Sequence, residues 1–226
     1  MAKKKEEKLE SGSTKISLAE RKKNLAKLIE GINQQSKEVV CGFIDDPDIQ
    51  KQINLEFIRT PNDNLNEAIG GGFPKGRLSI VTGLSDSGKT SLMLETIGLA
   101  MKSDDFVALW LESEQSLNYD YMINQFHIDP SRFLFIKMTE SGGEEALDKC
   151  IAILKSKMVD MFVINSMRAL VPKTEMNKSI SEDTVATQAR MNTKALKQIM
   201  SASYAGNIAT VVIQHLSTLI GSMSRD

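Results

Sequence analysis

The sequence predicts an α/β fold, a mostly parallel β-sheet with helices on both faces. Three observations carry that prediction. From residue 78 onward, short runs rich in Val, Ile and Leu alternate with longer segments of helical period, the pattern of strands buried on both sides and joined by helices. The turn between the first strand and the first of these helices, Gly83-Leu-Ser-Asp-Ser-Gly-Lys-Thr90, is glycine-rich. And 41% of the 226 residues are hydrophobic, enough for the core of one large domain with a small appendage.

The elements follow in order. Residues 1–16 are charged and rich in Ser and Gly, and read as a disordered arm. Ser17 and Glu20 have the spacing of a capping box, and Leu25, Leu28, Ile29 and Ile32 then recur on one helical stripe. That helix and a linker take residues 17–45, and the main domain takes 46–226. Val39 to Ile44 reads as a short strand, and Asp45 to Gln52 as a turn. A short helix over 64–69 stops at Gly70-Gly71-Gly72, and a loop follows to Gly76. Strands are expected at 78–82, 106–111, 133–136, 159–164 and 208–213, with helices at 89–102, 117–126, 143–157 and 184–203. A long loop covers 171–183.

Charge excludes one class of function. With 28 basic and 29 acidic residues the formal net charge is −1, so the chain is not a globally basic nucleic-acid binder, although a local basic site remains open. Cys41 and Cys150 have no metal-ligand spacing and read as reduced intracellular thiols. No apolar run reaches the length of a membrane span and no signal-peptide core begins the chain. A cytoplasmic protein is expected.

Gly83-x4-Gly88-Lys89-Thr90 satisfies the P-loop pattern at every defined position, with a strand before it and a helix after it. Glycines let the backbone curl and turn its N–H groups inward. The helix start adds the positive end of its dipole. Lys89 is expected to reach the β- and γ-phosphates of a nucleoside triphosphate, ATP under the resemblance given below, and Thr90 to hold Mg²⁺. Gly83, Ser85, Asp86, Ser87, Gly88 and Ser91 complete the expected phosphate site. The group that positions water should sit at the carboxyl end of a neighbouring strand. Glu112 and Glu114 are candidates, sharing one face if the strand persists. Asn165 stands where most P-loop proteins place a metal-shell aspartate, so it is the second metal candidate, and its missing charge argues against efficient hydrolysis. Gln214 and His215 follow the last strand and are placed to contact a γ-phosphate.

These residues, in this order, resemble the RecA family of homologous-recombination ATPases, the phage recombinases in particular. The resemblance runs from about residue 17 to the end. It rests on Thr60-Pro through Gly76-Arg77, the P-loop, Leu111-Glu-Ser-Glu-Gln-Ser-Leu117, Ile164-Asn-Ser-Met-Arg-Ala-Leu through Glu175, Gln188-Ala-Arg-Met191 and Ile220-Gly-Ser-Met223. It implies a RecA-like P-loop core with an N-terminal oligomerisation helix that builds a filament. It implies that Glu114 activates water, which leaves Glu112 as a second, non-essential carboxylate. Tyr121 would stack on adenine, Asn118 would make a polar adenine contact, and His215, ahead of Gln214, would sense the γ-phosphate. The loop at 171–183 would be a DNA-binding loop. Lys173, Lys178 and Arg190 would meet phosphates, and Met176, Ile180 or Val185 would wedge between bases. The implied partners are single-stranded DNA, homologous duplex DNA and further copies of the chain.

The sequence departs from the family at Asn165 and at its end, Met223-Ser-Arg-Asp226, where a second DNA-binding loop would be expected. The sheet is therefore expected to be incomplete at the C-terminus. Three functions stand side by side: an ATP-dependent strand-exchange protein, a nucleotide-gated binding or filament protein with little turnover, and a RecA-fold helicase-type or clock-type ATPase. Under the second, Asn165→Asp should raise turnover.

Overall fold

Period-two alternation in three buried strands decides which side chains reach which layer. The computed structural model describes residues 16–36, 38–176 and 185–216. The expected arm, apart from Ile16, lies outside them, as do Lys178, Ile180 and the stretch 220–223. The chain divides after Asn54 into two units.

The first unit carries α1 (Leu18–Gln34) and α2 (Pro47–Ile53). The Ser17 hydroxyl accepts from the Glu20 N–H at 3.2 Å, as the capping spacing predicts. Leu25, Leu28 and Ile32 are exposed along α1. The strand expected over 39–44 is absent. Asn33 Oδ1 accepts from the N–H groups of Val40 and Cys41 at 3.0 and 3.1 Å, and its Nδ2 donates to the Cys41 carbonyl at 2.8 Å. A side chain thus takes the backbone groups that a partner strand would need. The turn expected at 45–52 is instead α2. Asp46 caps it, accepting from the Asp48 N–H at 2.9 Å, and Pro47 takes the first helical position, where its missing N–H costs nothing.

The second unit opens with β1 (Phe57–Ile58), α3 (Asp63–Ala68) and β2 (Phe73–Pro74). β1 and β2 pair antiparallel, so part of the expected glycine loop is a strand. Gly72 makes the pairing possible: its φ is +133°, and a Cβ there would lie 2.3 Å from the Ile58 carbonyl oxygen. Next come β3 (Leu78–Gly83), α4 (Lys89–Ala100), β4 (Ala108–Glu112), α5 (Tyr119–Phe126), β5 (Phe133–Lys137), α6 (Gly143–Ser156) and β6 (Met161–Asn165). A 3₁₀ turn at Met167–Ala169, α7 (Lys173–Met176), α8 (Val185–Gly206) and β7 (Ala209–His215) complete it. The loop expected from 171 therefore begins with a short helix. Residues 177–184 lie outside the described set.

The main sheet is parallel, in the order β3-β7-β6-β4-β5, with β3 and β5 at its edges. Leu109, Leu111, Phe162, Ile164 and Val212 point to a core closed by α6 and α8. Ala108, Trp110, Met161, Val163, Val211 and Ile213 point to the opposite core, closed by α4. Each large side chain buried here stabilises the fold by roughly 1.5–3 kcal/mol. α4 meets the end of α5 at Gly98, where a Cβ would lie 1.8 Å from the Phe126 carbonyl oxygen. Cys150 is fully buried in the α6 core, and burial pushes its thiol up to about 12.

Two outcomes follow. Gly98→Ala forces α4 and α5 apart and should cost about 2–3 kcal/mol in urea unfolding, the range for an overpacked core. In the native protein a thiol reagent should label Cys41 and spare Cys150, with both labelled after denaturation.

Candidate functional site

The loop Gly83 to Thr90 owes its shape to two glycines with different duties. At Gly83 the constraint is space: a Cβ would stand 2.6 Å from the Ser87 hydroxyl oxygen and 3.4 Å from Lys89 Cδ. At Gly88 it is conformation. Its φ is +83°, with open space where a Cβ would be. Gly88 is also the N-cap of α4, so the free N–H groups of the helix start face the loop. Asp86 adopts φ +59°, a left-handed conformation that Asp tolerates better than most residues. The Lys89 ammonium donates to the Leu84 carbonyl at 2.6 Å, which holds the charge over the loop although the residue is largely buried. This cradle suits a chain of phosphates: inward N–H groups, a helix dipole and one ammonium.

A cavity of about 470 Å³ spreads from the loop. The loop lines it from Ser85 to Ser91, and Glu114, Ser116, Leu117, Asn118, Tyr121 and His215 close it. The strand register explains the convergence. Gly83 pairs with His215, and Glu112 with Asn165. Alternation places Glu112, Asn165 and His215 on the α4 face, since Trp110, Val163 and Ile213 stand two residues before them and pack in that core. Gln214 alternates to the other side, and only His215 of the pair lines the cavity. Both residues end β7 rather than following it.

Glu114 is held at both carboxylate oxygens. Ser166 Oγ donates to Oε1, and His215 Nε2 lies 3.0 Å from Oε2. The expected shared face of Glu112 and Glu114 does not form, because β4 ends at Glu112. Nor is Glu112 a loop carboxylate in water: it is 3% exposed. Trp110 Nε1 donates to it at 2.9 Å, the Glu114 N–H at 2.8 Å and Asn165 Nδ2 at 3.2 Å. Since the Glu114 backbone hangs on Glu112, this carboxylate positions its neighbour. Asn165 is fully buried and its Nδ2 also donates to Ser116 Oγ at 2.9 Å. Thr90 lies in the cavity lining.

Asn118 caps α5, its Oδ1 accepting from the Tyr121 N–H at 2.9 Å. Tyr121 is half exposed at the cavity mouth and meets Phe126 edge-on, with ring centroids 5.1 Å apart. Such an open ring offers a face for a planar ligand. The DNA candidates lie elsewhere. Lys173 and Met176 belong to α7, Val185 begins α8, and Arg190 is exposed on α8. The base of that segment is tethered: Gln188 Nε2 donates to the carbonyls of Arg168 and Leu170 at 2.8 and 2.7 Å.

Three contributors escaped the sequence reading: Ser166, Ser116 and Trp110. Ser166 had a signal, since it follows a strand end that adjoins the one carrying Glu112. Ser116 and Trp110 had none that separated them from a loop polar and a core aromatic.

The residues present fit a nucleoside triphosphate with a divalent cation. The loop would be filled by a Cβ at Gly83, its donors are N–H and ammonium, and the Asn165 Oδ1 acceptor is buried with no hydrogen-bond partner among the described residues. Among the described residues no cluster of three His, Cys, Asp or Glu side chains forms a metal cage.

Comparison with known proteins finds relatives of this chain. Residues 23–226 match the RecA N-terminal domain. The chain is similar to Protein RecA of Mesoplasma florum, 34% identical over 172 residues, 76% of this chain and 50% of that protein. It is 32% identical to Protein RecA of Mycoplasma mycoides subsp. mycoides SC over 199 residues, 88% of this chain and 56% of that protein. Protein RecA of Aquifex pyrophilus is 34% identical over 172 residues, 76% and 48% of the two chains. The chain thus spans about half the length of the curated relatives it matches.

Gly83→Ala pushes the Ser87 hydroxyl out of the loop. It should weaken binding of a fluorescent ATP analogue by at least about tenfold, the worth of one or two hydrogen bonds to a charged group, with the thermal midpoint nearly unchanged.

Proposed function

The chain belongs to the RecA family, and from that premise we propose that it is an ATP-dependent recombinase that binds single-stranded DNA as a filament and promotes homologous strand exchange. The observation that carries this reading is the arrangement of Glu114 and His215 across one cavity from the P-loop.

In this reading ATP is the substrate of the cavity. Backbone N–H groups from Ser85 to Thr90 and the Lys89 ammonium bind the phosphates, and Tyr121 and Asn118 flank the base. Lys89 leaves the Leu84 carbonyl for a phosphate oxygen, exchanging a bond in which only the donor is charged for a stronger one in which both partners are. Thr90, together with Asn165, would hold Mg²⁺, which when bound neutralises charge on the phosphates. Glu114 accepts a proton from the attacking water, and His215 donates to the γ-phosphate side. Both roles require Glu114 to exchange its His215 contact for water. Catalysis then comes from position and charge rather than covalent chemistry.

The exposed stripe of α1, Leu25, Leu28 and Ile32, supports self-association, because a stripe without cover is an interaction face. α7 and α8 present Lys173, Met176 and Arg190 for the DNA backbone and bases, and Gln188 ties that segment to the strand end beside Glu114. No described helix is long and apolar enough to cross a membrane, which accords with work in the cytoplasm. A second reading, a nucleotide-gated DNA binder with little hydrolysis, draws on the double hold on Glu114 by Ser166 and His215.

ATP hydrolysis with and without single-stranded DNA separates the two. DNA should stimulate turnover, and Lys89→Ala and Glu114→Gln should each lower it by at least about a hundredfold, the scale of losing a general base or a charge stabiliser. Tight ATP binding without turnover in the parent chain would favour the gated binder.

A further inference from the structure

Two buried groups at the strand ends are unexplained by the loop alone. Glu112 is a carboxylate at 3% exposure whose hydrogen bonds come from uncharged donors: the Trp110 indole, the backbone N–H groups of Glu114 and Ser116, the Ser116 hydroxyl and the Asn165 amide. Among the described residues no cationic side chain pairs with it. Beside it, Asn165 is fully buried and its Oδ1 has no partner among the described residues. A buried charge without a counter-ion and a buried acceptor without a donor are each unfavourable alone. They are linked. Asn165 Nδ2 donates to Glu112 Oε2 at 3.2 Å, and the two residues are register partners on adjacent strands. Donation to a carboxylate polarises an amide and makes its oxygen more negative.

We propose that Glu112 and Asn165 work as one matched unit. Glu112 supplies the negative charge that P-loop proteins ordinarily carry at the Asn165 position, and Asn165 Oδ1 presents that charge to the hydration shell of the divalent cation. The cation role rests on the nucleotide reading above; the pairing does not.

The unit reverses a simple expectation. Asn165→Asp looks like the repair that restores a missing charge. Here it turns a hydrogen bond into two carboxylates facing each other at a buried contact, with no cation side chain between them. Only an exchange of both residues keeps one charge and one donor. Glu112→Gln/Asn165→Asp moves the charge across the contact and returns an amide N–H to face it.

Two measurements test this on the full chain. The first is the thermal midpoint without nucleotide and with chelator present, for the parent, the single variants Glu112→Gln and Asn165→Asp, and the double variant. Asn165→Asp should lose roughly 6–20 °C, the shift expected for an uncompensated buried charge in a protein of this size, and the double variant should recover at least half of it. Asn165→Asp at or above the parent midpoint, or a double variant at the sum of the singles, overturns the pairing. The second is affinity for a fluorescent ADP analogue as magnesium is raised. Glu112→Gln should raise the magnesium concentration at half-effect about 10–100-fold, the cost of removing a group that orients a metal ligand, read relative to the variant's own magnesium-free binding. A magnesium midpoint equal to the parent's overturns the cation role. A parent chain that binds no nucleotide overturns the proposed function and the cation role together, and the melting series still decides the pairing.

Discussion

In a parallel sheet the side chain two residues before a strand end shares its face, so core packing fixes chemistry. Trp110, Val163 and Ile213 pack under α4, and this commits Glu112, Asn165 and His215 to the same side. A one-residue slip in any of these strands would bury the wrong set and turn the polar ends to the α6 layer. The helix that closes this core, α4, is also the helix whose start forms the phosphate cradle. Packing and phosphate binding therefore share one rigid body. Gly98 lets α4 lie against the α5 end, and α5 in turn presents Asn118 and Tyr121 at the cavity.

The polar layer above this core is a chain of dependence. Glu112 holds the Glu114 backbone, Ser166 and His215 hold its carboxylate, and Ser113 ties the loop to β6 by donating to the Ser166 carbonyl at 2.8 Å. Three strand ends that are distant in sequence thus fix one carboxylate. Such a network is stable because nearly every member is satisfied. The exception is the Asn165 amide oxygen.

Much of this was legible in sequence. The P-loop carries its own geometry, since glycine spacing and the following helix are local properties. The parallel sheet followed from alternation of buried runs with helical segments, and the ordered motifs pointed to the family that the match over residues 23–226 shows. What escaped depended on contacts across the fold. Glu112 looked like a spare carboxylate because its burial comes from Trp110 packing and from β6, neither of which its neighbours in sequence declare. Asp46-Pro47 did announce α2 through cap chemistry, but two acids and a proline also make a turn. The strand expected over 39–44 had the right apolar character and lacked a partner, and the Asn33 side chain took its backbone groups.

The central claim is that a nucleotide engages the loop and the ends of β4, β6 and β7 as one site. Backbone hydrogen exchange with and without a non-hydrolysable ATP analogue and magnesium tests it most directly. The account predicts joint protection of segments 83–91, 112–118, 165–166 and 213–215. Protection confined to 83–91, with the other strand ends unchanged, would contradict it.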